Sequence, residues 1–127
     1  MIEEIDNEET VAEVRDCFLR YNRALDAGDV DALNGFFWNS PATVRFGPGE
    51  TLFGYDAIAG FRSNRWRGAG PARRIEEVVV TAYGRDVATT NALIRSGNGA
   101  LSRQSQTWIR RPEGWRIAAA HVSAAPA

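Results

Sequence analysis

Residues 75–123 read IEEVVVTAYGRDVATTNALIRSGNGALSRQSQTWIRRPEGWRIAAAHVS. Residues 75–83 are β-branched and rich in valine, and Gly84-Arg85-Asp86 is a turn. Residues 87–95 return, residues 96–99 turn again, and residues 101–110 return once more. Pro112-Glu113-Gly114 makes the last turn before residues 115–123. Runs of this length, bounded by Gly, Pro, Asn and Asp, are strands joined as hairpins. The expectation is a four-stranded antiparallel meander.

Upstream the period changes. Val11, Val14, Phe18, Tyr21 and Leu25 are spaced three, four, three, four, which is one face of an amphipathic helix. Asn7 is a weak cap, Glu8 and Glu9 suit a first turn, and Gly28 suits a helix end. Asp29 caps a short second helix that runs to Phe36. Asn39-Ser40-Pro41 breaks the chain, and residues 42–46 and 50–53 form a short hairpin around Gly47-Pro48-Gly49. Helical spacing resumes over residues 54–65, and Gly68-Ala69-Gly70-Pro71 is a loop. Three helices gathered on one face of a curved, mostly antiparallel sheet make an α+β fold. A twisted sheet curled around helices leaves a concave pocket. The length of 127 residues fits a single domain, 1–127.

The composition excludes several chemistries. All 15 basic residues are arginine, so Schiff-base chemistry and a lysine base are absent. Cys17 is the single cysteine and His121 the single histidine, which leaves no Cys/His set for zinc or copper. Cys17 reads as a buried structural thiol rather than a reactive one, since no local base accompanies it. No metal and no cofactor is expected. A net charge of −1 gives no basic face for nucleic acid. No apolar run is long enough for a membrane, and the acidic first residues are unlike a signal peptide, so a cytoplasmic protein is expected. The acids of residues 3–13 read as a solvated lead-in to the first helix.

Chemistry must then rest on arginine, tyrosine, amides and one histidine. Tyr21 lies mid-stripe with its hydroxyl inward, either bonded to a backbone carbonyl or serving a ligand. Arg45 alternates with Val44 and Phe46. If it faces the helices it needs an anion, from a protein carboxylate or from a substrate carboxylate held bidentately. Arg62, one turn after Ile58, is the member of the Arg62, Arg65, Arg67, Arg73, Arg74 cluster best placed to reach inward. Gln104, Ser105 and Gln106 make an unusually polar central strand whose buried members must be hydrogen-bonded. A two-residue last turn sets Gln104 opposite His121; a three-residue loop with a bulge sets Ser105 there instead. No Gly-x-Ser-x-Gly elbow occurs, which argues against a serine triad.

Several of these segments carry a resemblance. The ending Trp108-Ile109-Arg110-Arg111, Gly114-Trp115-Arg116-Ile117 and His121-Val122-Ser123 is similar to that of SnoaL-like proteins, of the nuclear transport factor two-like superfamily of cone-shaped domains. Phe37-Trp38, Thr43-Val44-Arg45-Phe46-Gly47, Leu52-Phe53-Gly54-Tyr55-Asp56-Ala57-Ile58, Tyr83-Gly84-Arg85-Asp86 and Arg103-Gln104-Ser105-Gln106-Thr107-Trp108 resemble the AtzH-like family, also labelled oxalurate catabolism protein HpxZ. The resemblance spans nearly the whole chain. It implies a homodimer with one pocket per subunit, acting on a small carboxylated urea or oxalurate-like substrate beside an amidase-signature hydrolase. It implies amidase-type hydrolysis of a dicarboxylated urea to allophanate, with the family tyrosine on Tyr21 and the strand arginine on Arg45. In that frame Arg45 and Arg62 hold a carboxylate, Gln104, Gln106 and His121 read amide edges, and Trp38 and Tyr55 are aromatic walls. His121 is the residue left to act as a base. The rival functions are a non-catalytic small-acid-binding or accessory protein and, last, an isomerase of a hydrophobic substrate. The isomerase would want a pocket carboxylate, where the candidate strands offer Arg and Gln.

Overall fold

The computed structural model describes residues 1–65 and 72–126. The chain runs α1 (Glu8–Ala27), α2 (Val30–Gly35), β1 (Val44–Phe46), β2 (Thr51–Phe53) and α3 (Tyr55–Arg65). Four long strands follow: β3 (Arg73–Tyr83), β4 (Val87–Ser96), β5 (Leu101–Arg111) and β6 (Gly114–Ala124). The helix limits follow from local chemistry. The Asn7 side chain accepts from the Thr10 amide, and Asp29 does the same for Ala32. Gly28 closes α1 at φ 67°, donating to the carbonyls of Ala24 and Leu25. Trp66, Arg67 and the Gly68-Ala69-Gly70-Pro71 loop lie outside the described residues, as does the Arg65 side chain.

The six strands form one sheet in the order β2-β1-β6-β5-β4-β3. Every pairing is antiparallel except β1 with β6, which is parallel. The helices cover one face. Val14, Phe18, Leu33, Ile58, Trp108 and Ile117 are fully buried between the two layers. Each such side chain contributes about 1.5–3 kcal/mol of burial.

The last hairpin turns on two residues, Pro112 and Glu113, with Arg111 opposite Gly114. That turn alone would set Gln104 opposite His121. Instead Trp108 faces Ile117 while Thr107 faces Ala119, so Ala118 is an extra residue in β6. Beyond this bulge Ser105 faces His121 and Gln106 faces Ala120. The bulge expected in the loop sits inside the strand.

The N-terminal acids are not merely a solvated lead-in. Asp6, at φ 56°, exchanges hydrogen bonds with Ala82: its amide donates to the Ala82 carbonyl and its carboxylate accepts from the Ala82 amide, each at 2.9 Å. Ile5 bridges Tyr83, and Glu4 pairs with Arg85 at 2.8 Å. The segment therefore covers the end of β3, an edge strand whose free amides would otherwise seek another chain.

Candidate functional site

Tyr21 and Arg62 meet inside the fold. Both are nearly inaccessible, at 3% and 2% exposure. Arg62 Nη2 donates to the Tyr21 hydroxyl oxygen at 2.5 Å. The guanidinium carbon lies 5.8 Å from the Tyr21 ring centre and 5.5 Å from that of Phe37. These contacts spread the charge over two π faces without neutralising it. Among the described residues no carboxylate pairs with Arg62, and its buried Nε has no hydrogen-bond partner. A guanidinium held this way carries a desolvation cost of several kcal/mol that its neighbours among the described residues do not offset. An anion entering the site would offset it. The position follows from helical spacing: Arg62 is one turn beyond the buried Ile58 on the inner side of α3.

Arg45 also faces inward, because it pairs in register with Ala120, a buried position of β6. Its anion comes from the protein. Nη1 donates to Glu50 Oε1 at 2.5 Å, and the guanidinium carbon lies 5.9 Å from the Phe61 ring centre. Gly47 makes this pairing sterically feasible: a Cβ there would fall 1.8 Å from Glu50 Oε1. Glu50 was missed in the sequence, although the hairpin spacing, five residues after Arg45, could have signalled it.

Gln104 and Gln106 lie on the inner face of β5. Both are buried, at 4% and 3%. Gln106 belongs to a row across the inner face that runs Leu52, Arg45, Ala120, Gln106, Thr90, Val80. Asn22 Nδ2 donates to Gln104 Oε1 at 3.3 Å, and the Thr90 hydroxyl donates to Gln106 Oε1 at 3.1 Å. Trp108 Nε1 donates to Thr90 at 3.1 Å, and the Trp108 ring packs edge-on to Phe36, which packs edge-on to Tyr21. Asn22 and Thr90 were also missed. Their signal was polarity at positions that helix spacing and strand alternation bury.

One expected site residue is placed elsewhere. His121 is on the opposite face of the sheet from Gln104 and Gln106, exposed, with its ring 5.8 Å from that of Phe46. The grouping of His121 with the two glutamines is therefore corrected, and it is not available as an inward base. Trp38 is half-buried under the Arg111 guanidinium, 5.7 Å from its ring centre. Tyr55 opens α3 half-buried, its amide donating to the Ser40 carbonyl at 3.0 Å. Of the arginine cluster, Arg73 pairs with Asp26 and Arg74 with Glu76. Cys17 is buried; burial pushes its thiol up, against the lowering effect of Arg20, whose Nη2 donates to Sγ at 3.3 Å. Among the described residues no three His, Cys, Asp or Glu side chains gather into a metal-binding group, and no helix is long and apolar enough to cross a membrane.

A model of the AtzH-like family matches residues 3–127. The chain belongs to the AtzH-like family. This AtzH-like chain is 38% identical to a protein of unknown function of the DUF3225 family from Pectobacterium atrosepticum, with 99% of this chain and 98% of that one covered and a TM-score of 0.92. It is 39% identical to a cystatin-like fold protein from Burkholderia xenovorans, with 98% of each chain covered and a TM-score of 0.90. At 17% identity an NTF2-like protein of unknown function from Pseudomonas putida shares the fold, covering 92% and 87% with a TM-score of 0.78. The fold is thus the cone-shaped α+β architecture of NTF2-like proteins. No functionally curated protein is significantly similar to the AtzH-like chain.

Proposed function

We propose that this AtzH-like protein hydrolyses a small carboxylated urea at the Tyr21–Arg62 site, without a cofactor. The observation that carries this reading is the buried Arg62, which lacks a carboxylate among the described residues and is aimed at a tyrosine hydroxyl. Arg62 attracts the carboxylate. Tyr21, whose oxygen already accepts from Arg62, keeps its own O–H to donate to the leaving nitrogen. Arg45, balanced by Glu50, shapes the wall rather than supplying net charge.

For a dicarboxylated urea the balance is as follows. Water adds to a terminal carboxyl carbon, and the bond from that carbon to nitrogen breaks. The nitrogen takes the Tyr21 proton, and the tyrosinate recovers one from the water. The products are bicarbonate and allophanate. N-carboxylated nitrogen is labile, so a site without a strong base is adequate. The test is to incubate purified protein with dicarboxylated urea, carboxybiuret and oxalurate in parallel. Bicarbonate release from the first and ammonia release from the other two are followed. Turnover of the first that Tyr21→Phe abolishes is the expected result. Binding without consumption of any of the three overturns catalysis in favour of a small-acid-binding or accessory role.

The proposal extends to assembly. The outer face of the sheet carries Phe46, Phe53 and His121 together, with Phe53 66% exposed. Pairing two such faces would give a homodimer, which sedimentation would report, and an amidase-signature hydrolase is the expected metabolic neighbour.

A further inference from the structure

Arg45 rests on the Phe61 ring and is also paired with Glu50. Arg62 rests on two rings, and among the described residues no carboxylate pairs with it. The ring centres of Tyr21 and Phe37 lie 5.8 and 5.5 Å from its guanidinium carbon and 6.0 Å from each other. Three nearly equal distances make a triangle, so both rings lie to one side of the guanidinium. They brace it without enclosing it. Tyr21 also offers its hydroxyl oxygen, which accepts from Nη2. Phe37, buried at 2% exposure, has only its ring to offer. The Phe37 backbone is fixed to the sheet. The Ile117 amide donates to the Phe36 carbonyl at 2.7 Å, and the Trp38 amide donates to the Ile117 carbonyl at 3.0 Å. Phe37 sits between these two bonds as the bridge partner of the fully buried Ile117.

A long side chain whose charge has no counter-ion is free to turn toward other acceptors. A π face removes that freedom, because it attracts the cation where a carboxylate would otherwise do so. Unlike a carboxylate, it leaves the N–H edges of the guanidinium free for bidentate pairing. The Nε of Arg62 is buried with no partner among the described residues. We infer that Phe37 is a positioning residue for the anion site: its ring, anchored to β6, holds the Arg62 guanidinium against Tyr21 and ready for a carboxylate. The inference rests on the proposed function at that site. Phe36 provides the contrast. Its ring meets Tyr21 edge-on at 5.7 Å, but the cation over it is Arg20, which pairs with Asp16 at 2.9 Å. Phe36 therefore packs the tyrosine and braces a different charge.

The test compares Phe37→Leu, Phe37→Tyr and Phe36→Leu in the full chain, with Arg62→Met as the reference for a lost site. Calorimetry uses malonate, a dicarboxylate with no carbon–nitrogen bond to break, and steady-state kinetics use dicarboxylated urea. Phe37→Leu keeps apolar bulk and removes the π face. It is expected to weaken malonate binding about tenfold, the cost of re-ordering one long side chain. KM should rise by about the same factor while kcat stays within about threefold, because Tyr21 is untouched. Phe37→Tyr, which restores the ring, should bind malonate within about twofold of the wild type, and so should Phe36→Leu. Wild-type affinity in Phe37→Leu, an equal loss in Phe36→Leu, or no recovery in Phe37→Tyr overturns the positioning role. If Arg62→Met still abolishes malonate binding, the proposed site stands. Malonate binding that survives Arg62→Met, or a wild type that does not bind malonate, overturns both.

Discussion

Arg62 on α3 donates to the hydroxyl of Tyr21 on α1, 41 positions earlier, and both side chains are buried. The tyrosine accepts where a carboxylate would neutralise. Under the proposed function, this arrangement would stabilise a bound anion at the expense of the empty protein.

Arg62→Met is therefore expected to make the protein more stable and less active. Removing an uncompensated buried charge should raise stability by ~1–4 kcal/mol, by analogy with buried ion pairs replaced by apolar residues. Binding of carboxylated ligands should vanish. Thermal melting and calorimetry on one preparation check both. A lower melting temperature would show that Arg62 is structural.

Tyr21→Phe should leave the melting temperature within a few degrees and lower kcat about 100-fold or more, as removal of a general acid does. KM should change little, since Arg62 keeps its charge. The split between kcat and KM under saturating substrate is the measurement.

Gly47→Ala should cost about 1–3 kcal/mol, because the new methyl collides with Glu50 and pushes it off Arg45. Glu50→Gln should weaken the fold in the same direction by leaving Arg45 uncompensated. Denaturant midpoints of the two variants and of their double mutant measure this. If the two effects added fully, the collision and the ion pair would be unrelated.

His121→Ala should keep kcat/KM within about twofold, since its ring packs edge-on to Phe46 on the far face of the sheet. Its lost edge contact is worth about 0.5–1.5 kcal/mol. A profile that lost its histidine limb in this variant would return His121 to the reaction.

Glu76 should titrate near pH 2. Hydrogen bonds from Arg95 first and Arg74 second hold its carboxyl down to about 2 from an ordinary 4.5. A depressed folded value means that the pairing stabilises the fold above about pH 4.5 and that this contribution fades as pH falls toward 2. Carboxyl NMR follows it directly, and Arg95→Gln should move the midpoint up.

Much of the architecture was legible because its causes are local. The stripe through Val14, Phe18 and Tyr21, the caps at Asn7 and Asp29, and the left-handed Gly28 each act within a turn of chain. The meander was legible because strand runs alternate with turn residues. Arg62 could be placed inward by counting one turn from Ile58. Its pairing with Tyr21 could not, because no local rule links residues on two helices. Glu50 escaped notice because the counter-ion of Arg45 depends on the exact path of a glycine turn.

The sequence by itself determined the helix faces, the strand runs and the absence of lysine, and so the side chains any chemistry here must use. The tertiary structure decided which of them meet. One extra residue, Ala118, shifts β6 by a single position, and a single-position shift exchanges the two faces of a strand. It turns His121 outward and Ala120 inward, opposite Gln106. A bulge of this kind is set by packing between strands rather than by any local motif. For that reason the register stood open in the sequence and is fixed only in the folded sheet.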